Sequence, residues 1–373
     1  MTPPDDITIA VGSTDTLRAI LSGALKRLLS ELSGLGRTAA SRDALRLTKA
    51  ELQRAPGPVF TALRRPTVGV LARVLARRGG DAALYDRFAA TLMAELAAAG
   101  ADLPAVRLDA PRVVCLGAGR ALPGGDVTIE DGAWRTSTEH IELRTPSDAL
   151  PIVHGAIRLA LVDDNPIAMD EAHPDKAGNA VDLGGRSAGE WVEALRTAIA
   201  PIERYAPLLA EELAMTIQQL VPVGYDAHAH LSASYQEAIG TIYLSLHPES
   251  MTMTEAIIHE LSHNKLNALF ELDPLIENAF SPLYTSPVRP DPRPLHGILL
   301  AVHAFLPVEA LYRRMLREED PRAGNPGFTR RLAQIAKKNR EGAEVLLANA
   351  RATDVGRGVL GEIERLCREL GDG

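Results

Sequence analysis

Two histidines four residues apart, with a glutamate directly after the first, stand in the segment His259-Glu260-Leu261-Ser262-His263. On a helix, positions i and i+4 share a face, so both imidazoles can meet one metal ion while Glu260 projects alongside it. With only ten histidines in 373 residues, a chance match to this pattern is expected at about the per-cent level. The flanks suit a buried helix: Ala256-Ile257-Ile258 precedes the motif, and Leu261 and Leu266 can cover its back. Two chemistries use such a site. A zinc hydrolase would employ Glu260 as the base that activates metal-bound water. A non-haem iron enzyme would commonly use two histidines and a carboxylate, with other positions left open.

The usual extensions of the zinc peptidases are missing. Leu266 and Leu269 stand where the glycine and histidine of a metzincin belong, and Glu277 and Glu309 are only loosely placed to act as a glutamate ligand from a following helix. Further on, His296 and His303 lie seven residues apart in a helical stretch, two turns apart on one face. His303 sits in so apolar a segment that it needs a polar partner, which a metal would supply. It is the first candidate for a third ligand and His296 the second, with Glu260 and Glu277 as open alternatives. Between the two helices, residues 281–294 include five prolines together with Arg289 and Arg293. Prolines lower the ordering cost of a loop, so both arginines can be held in fixed directions. Guanidinium forks grip carboxylates bidentately, and two of them near a metal helix suggest an acidic ligand. The plainer alternative is that one arginine pairs with Asp291 or caps a helix.

The elements that position these residues show in the hydrophobic pattern. Thr14 to Ala101 repeats apolar residues at helical spacing, and Val106 to Val162 changes to short β-branched runs between glycine- and proline-rich turns, as expected of a small sheet. The polar loop after Asp163-Asp164-Asn165-Pro166 is the expected division between a helical N-terminal region with a small β segment, residues 1–165, and a catalytic domain, residues 166–373. A long helix from Trp191 to Leu220, interrupted at Pro201, then strands at Leu231–Ser234 and Gly240–Leu246, lead to the motif helix. Thr252 and Glu255 are spaced as a capping box there. A helix over about Leu295–Glu318 and one helical stretch over Thr329–Leu370 complete the chain. The expected fold class is thus α+β and mainly helical, with the motif helix packed on a small sheet.

Other signals are weaker. Val113-Val-Cys-Leu-Gly117-Ala-Gly119 opens like a dinucleotide fingerprint, but the third glycine is absent and no parallel βαβ unit follows, so it reads as a turn. His228 and His230 read as strand-like and are minor ligand candidates. Lys265 leaves the motif helix on a different face from His263 and reads as solvated, with a minor alternative role in holding a carboxylate cosubstrate. A net charge of −8 argues against general nucleic-acid binding. Cys115 and Cys367 form no CxxC pair, which suits a reducing, cytoplasmic setting. The acidic N-terminus lacks the order of a secretion signal, and no apolar run approaches membrane-spanning length, so no membrane association is expected.

A resemblance rests on three blocks within Ser232–Tyr312: Ile258-His-Glu-Leu-Ser-His-Asn-Lys-Leu-Asn-Ala-Leu269, then Tyr284-Thr-Ser-Pro-Val-Arg-Pro-Asp-Pro-Arg-Pro-Leu295, then His303-Ala-Phe305. Together these resemble the HExxH domain of ribosomal-peptide modification clusters. That family includes iron- and 2-oxoglutarate-dependent peptide β-hydroxylases. The resemblance implies Fe(II) on His259 and His263, 2-oxoglutarate as cosubstrate and molecular oxygen as oxidant. It also implies a ribosomally made precursor peptide that is hydroxylated at a β-carbon. The far carboxylate of 2-oxoglutarate would then meet an arginine of the proline loop, Arg293 first and Arg289 second, with Tyr284 alongside. If His303 ligates the metal, Glu260 is free for a role toward substrate. The alternative function is a zinc-dependent peptidase with Glu260 as general base.

Overall fold

The computed structural model describes residues 4–170, 172–173, 176–285 and 291–371. Of the structure, 54% is helical, with several small sheets, so the chain is of mixed α/β class. The first five helices are α1 (Asp15–Glu31), α2 (Ala39–Arg54), α3 (Pro56–Leu63), α4 (Pro66–Arg78) and α5 (Ala82–Ala98). Eight short strands follow: β1 (Val106–Ala110), β2 (Val113–Cys115), β3 (Arg120–Leu122), β4 (Gly125–Glu130), β5 (Ala133–Arg135), β6 (His140–Glu142), β7 (Ile152–His154) and β8 (Ile157–Leu159). After the two-residue strands β9 (Ala172–His173) and β10 (Lys176–Ala177) come α6 (Ala188–Tyr205) and α7 (Pro207–Thr216). Strands β11 (Gln219–Tyr225), β12 (Ser232–Ala233) and β13 (Thr241–Leu246) then lead into α8 (Ser250–Phe270), the motif helix. The hairpin of β14 (Leu283–Tyr284) and β15 (Arg293–Pro294) introduces α9 (Leu295–Arg317), and α10 (Pro326–Asn349) and α11 (Asp354–Gly371) end the chain.

The chain divides into two compact units. One holds residues 1–22, 195–216 and 248–373; the other holds 23–194 and 217–247. The division expected at 165/166 falls inside the second unit.

In the second unit, helices α2 to α5 and the antiparallel sheet β1-β4-β5-β6 share one apolar core that includes Leu71, Phe88, Leu92 and Trp134. A second, five-stranded sheet has the order β12-β13-β11-β8-β7, with β11 parallel to both β13 and β8. The glycine turn joining β2 to β3 is filled by the chain itself: Glu95 of α5 accepts from the backbone N–H of Leu116 at 2.5 Å and of Gly117 at 3.0 Å. The N–H groups of Leu116 and Gly117 are thus already satisfied by a side chain of the protein. Gly119, at φ +69°, leaves no room for a side chain, since a Cβ would lie 2.2 Å from the Ser147 carbonyl oxygen.

The first unit is built around α8. Most of its residues from Met253 to Leu269 are buried on every side, as in a core helix rather than a one-faced surface helix. It contacts α7 and α9, and α9 in turn contacts α10 and α11. Thr254 donates to the Ala198 carbonyl of α6 at 2.8 Å. The N-terminal segment is held from inside: Glu362 of α11 accepts from the N–H groups of Thr8 at 2.9 Å and Ile9 at 3.0 Å and from the Thr8 hydroxyl at 3.0 Å. Helix α9 has the length and apolarity of a membrane span, yet 67% of that window is buried within the protein.

Four local expectations need correction. The helix expected over Trp191–Leu220 is two: α6 runs through Pro201 to Tyr205, α7 ends at Thr216, and Leu220 lies in strand β11. Helix α8 begins at Ser250 with no side-chain cap; the Thr252–Glu255 box does not form, because Glu255 is drawn to the side chains of Arg331 and Tyr312. His228 and His230 are not in a strand: Asp226 accepts from the N–H groups of His228 at 2.7 Å and Ala229 at 3.1 Å, which turns the chain just after β11. The last helical stretch is two helices, parted at residues 350–353.

Candidate metal centre

Helix α8 sets His259 and His263 one turn apart with their rings edge to face, centroids 4.3 Å apart. Phe305 of α9 lies against His259 at 4.8 Å. Donor atoms of His259, Glu260 and His263 all lie within 4.8 Å of one another. Metal–ligand bonds of about 2.0–2.2 Å allow two ligand atoms to be at most roughly 4.3 Å apart, so small side-chain rotations close this cluster around one ion. Glu260 is buried and both histidines are half-buried.

The donor chemistry fits a cation. Burial, reinforced by the charge on His296, pushes His263 down to about 4, so its ring is neutral and its lone pair available at neutral pH. Its Nδ1 is enclosed and makes no hydrogen bond among the described residues.

The structure does not gather every candidate into this cluster. His303 is fully buried, and among the described residues neither ring nitrogen makes a well-formed hydrogen bond. Burial first, then Lys265 and His263, hold it well below the usual histidine range, while the Ile7 carbonyl faces its ring. It therefore lies close to His263 in electrostatic terms but outside the three-donor group. Pro307, one turn later in α9, has no N–H to give the His303 carbonyl.

His296 is stacked between Phe270 at 4.9 Å and Phe280 at 5.1 Å. Glu277 is exposed and faces Arg351 at 3.9 Å, and Glu309 is held by Arg313 at 2.9 Å and Asn339 at 2.8 Å. Arg293 faces Tyr284 across the β14–β15 ladder and donates to Asp291 at 3.1 Å. Arg289 lies outside the described residues.

Lys265 overturns its expected solvation. It is fully buried, donates to Glu212 of α7 at 2.5 Å and to the Thr8 carbonyl at 3.3 Å. Its neighbours Leu261, Leu266 and Leu269 are apolar, which was the available sign that this face turns inward. The ion pair thus fastens α8 to α7 and to the N-terminal segment, two residues beyond the second motif histidine.

On its other side, α8 is fixed by Glu255, four residues before His259, which takes a bidentate pair from Arg331 of α10 and a hydrogen bond from the Tyr312 hydroxyl at 2.6 Å. Glu212 and Arg331 escaped sequence reasoning because both partners are distant in the chain. No family model and no curated protein matches this chain.

Proposed function

We propose that the chain is an iron- and 2-oxoglutarate-dependent oxygenase that works in the cytoplasm on the β-carbon of a residue in a ribosomally made precursor peptide. The observation that carries this reading is the compact set of two histidines and one carboxylate, His259, His263 and Glu260, within 4.8 Å. A cation held by these three keeps positions open for a chelating cosubstrate and oxygen, as in non-haem iron sites. Of the two loosely placed candidates for a gluzincin glutamate, Glu309 is held by Arg313 and Asn339 and Glu277 is exposed, and neither belongs to the three-donor group, which weighs against a peptidase.

When bound, iron with 2-oxoglutarate supplies the oxidising chemistry: one oxygen atom enters the peptide C–H bond, the other enters succinate, and carbon dioxide leaves. The protein's part is placement. His259, His263 and Glu260 would hold the ion on a helix fixed on either side of the motif by ion pairs, Lys265–Glu212 fully buried and Arg331–Glu255 partly so. Arg293, at the entry to α9, would exchange Asp291 for the far carboxylate of 2-oxoglutarate, with Tyr284 across the ladder. In this reading His303 remains the reserve ligand.

Anaerobic reconstitution with Fe(II), 2-oxoglutarate and a precursor peptide encoded beside this gene, followed by air and mass spectrometry, tests the reading. It expects one added oxygen per peptide and one succinate. The second reading is a zinc peptidase, favoured by the placement of the Glu260 carboxylate against both histidines; a cleaved peptide with Zn(II) and no oxygen incorporation would establish it in place of the first.

A further inference from the structure

A cavity of about 280 Å³ opens within the first unit, walled by the N-terminal segment, the corner between α6 and α7, and one face of α9. None of the three metal donors lines it. Its volume stands near the lower end of the range for small-molecule pockets, about 300–1,000 Å³. Pro307, Ala310, Leu311, Arg314 and Arg317 recur at helical spacing and so share the α9 wall. Ile9 and Pro207 stand among the other walls. Neither Pro207 nor Pro307 has an N–H, so both positions offer apolar surface without a backbone donor. Tyr205 also borders the cavity, but its hydroxyl is already donated to Asp320 at 2.6 Å.

The charge is gathered toward one end. No acidic side chain lines the cavity, and its two charged groups, Arg314 and Arg317, lie in the last turns of α9. Arg314 donates to Glu318 at 2.8 Å. Arg317 is exposed and has no hydrogen-bonding or ion-pair partner among the described residues. An apolar slot that ends in a guanidinium with no acid of its own complements a ligand with an apolar body and an anionic head. From Pro307 to Arg314 the helix rises about 10 Å, which suits a medium-length chain. The N-terminal wall is already fixed: Glu362 accepts from the N–H groups of Thr8 at 2.9 Å and Ile9 at 3.0 Å, and Lys265 donates to the Thr8 carbonyl at 3.3 Å. A preformed wall leaves little ordering to be done on binding.

We infer that this cavity binds a free medium-chain aliphatic carboxylate, with its chain between Pro207 and Pro307 and its carboxylate on Arg317 and Arg314. The chain gains by leaving water for the apolar walls, and the head gains charge-assisted hydrogen bonds from the guanidinium forks. An alcohol of the same length gains the first of these alone. The site is separate from the proposed oxygenase chemistry, because none of its residues is a metal donor or a partner assigned to 2-oxoglutarate.

The test is calorimetric titration of the full chain with octanoate, octan-1-ol and octylamine. One octanoate per chain should bind, octan-1-ol at least tenfold more weakly, and octylamine not at all. Arg314→Ala/Arg317→Ala should weaken octanoate at least tenfold, and Arg314→Lys/Arg317→Lys, which keeps the charge, should bind more tightly than the alanine pair. Ala310→Trp, which fills the cavity, should abolish binding; Ala310→Leu, a smaller filling, takes its place if the tryptophan variant does not fold. Fe(II) uptake measured on the same samples should stay at the parent level in every folded variant, so the cavity and the metal site are read separately. No saturable binding of octanoate, equal affinity for octanoate and octan-1-ol, or binding that survives the filled cavity would overturn the inference. So would a dimer in sedimentation that the filled cavity breaks, since a second copy of the chain would then be the occupant.

Discussion

Replacing Lys265 with methionine keeps most of the side-chain volume and removes the charge. In the parent protein this ammonium is fully buried, 2.5 Å from Glu212 and bonded to the Thr8 carbonyl. The variant strands a buried carboxylate without its cation, a change that typically costs about 3–5 kcal/mol. At roughly 2–4 °C per kcal/mol for a domain of this size, the melting temperature should fall by about 6–20 °C.

The loss must also depend on pH, with a sign the structure dictates. Burial raises Glu212 above the usual carboxylate range and Lys265 opposes that rise. Without Lys265 the rise is larger, so the folded variant favours the protonated acid. Its stability is then highest below the unfolded value of about 4.3 and declines as pH climbs through the raised folded value. Urea unfolding at pH 5 and pH 8 should therefore show the deficit widening at the higher pH. The companion variant Lys265→Met/Glu212→Leu, which removes both charges, should recover most of the loss. A deficit under about 1 kcal/mol at pH 8, or a double variant no more stable than the single one, would refute the claim that this pair fastens the metal helix.

Asp163 supplies an independent test. Burial raises it to about 6, against the hydrogen bond it accepts from Tyr243 at 2.6 Å, so its contribution is fully present below the unfolded value and lost as pH rises through 6. Asp163→Asn should flatten the stability profile between pH 4 and 7 by about 2–3 kcal/mol, read by urea unfolding, and an unchanged profile would contradict the assignment. Arg293→Ala should raise the 2-oxoglutarate concentration needed for half-maximal succinate release by about tenfold or more while peptide affinity holds; equal effects on both would place the arginine elsewhere.

Some of this architecture is readable directly in the residues. The i, i+4 histidines could be placed on one helix face because α8 is regular, and α1 to α5 follow from their apolar spacing. What escaped was set by partners far along the chain. Glu255 was expected at its own helix start, but Arg331, 76 positions away, offers a charge-assisted bidentate pair that a local cap cannot match. Lys265 was read from its distance to His263, when the apolar residues around it were the better guide. The break between α10 and α11 carried a local signal: the Thr353 hydroxyl accepts from the Gly356 N–H at 3.0 Å, a capping pattern hidden inside an otherwise continuous helical stretch. His303 was expected to seek a polar partner; the one that faces its ring is the Ile7 carbonyl, about 300 positions away, which the sequence cannot display.

The central claim, that His259, Glu260 and His263 form a mononuclear metal site, is tested most directly by anaerobic calorimetric titration of Fe(II) into the metal-stripped full chain. One equivalent should bind, and thermal unfolding at a hundredfold excess over the dissociation constant should show about 2.7 kcal/mol of added stability. His259→Ala and His263→Ala should each abolish both signals while remaining folded. Binding that survives in those variants, or no saturable binding in the parent chain, would contradict the account.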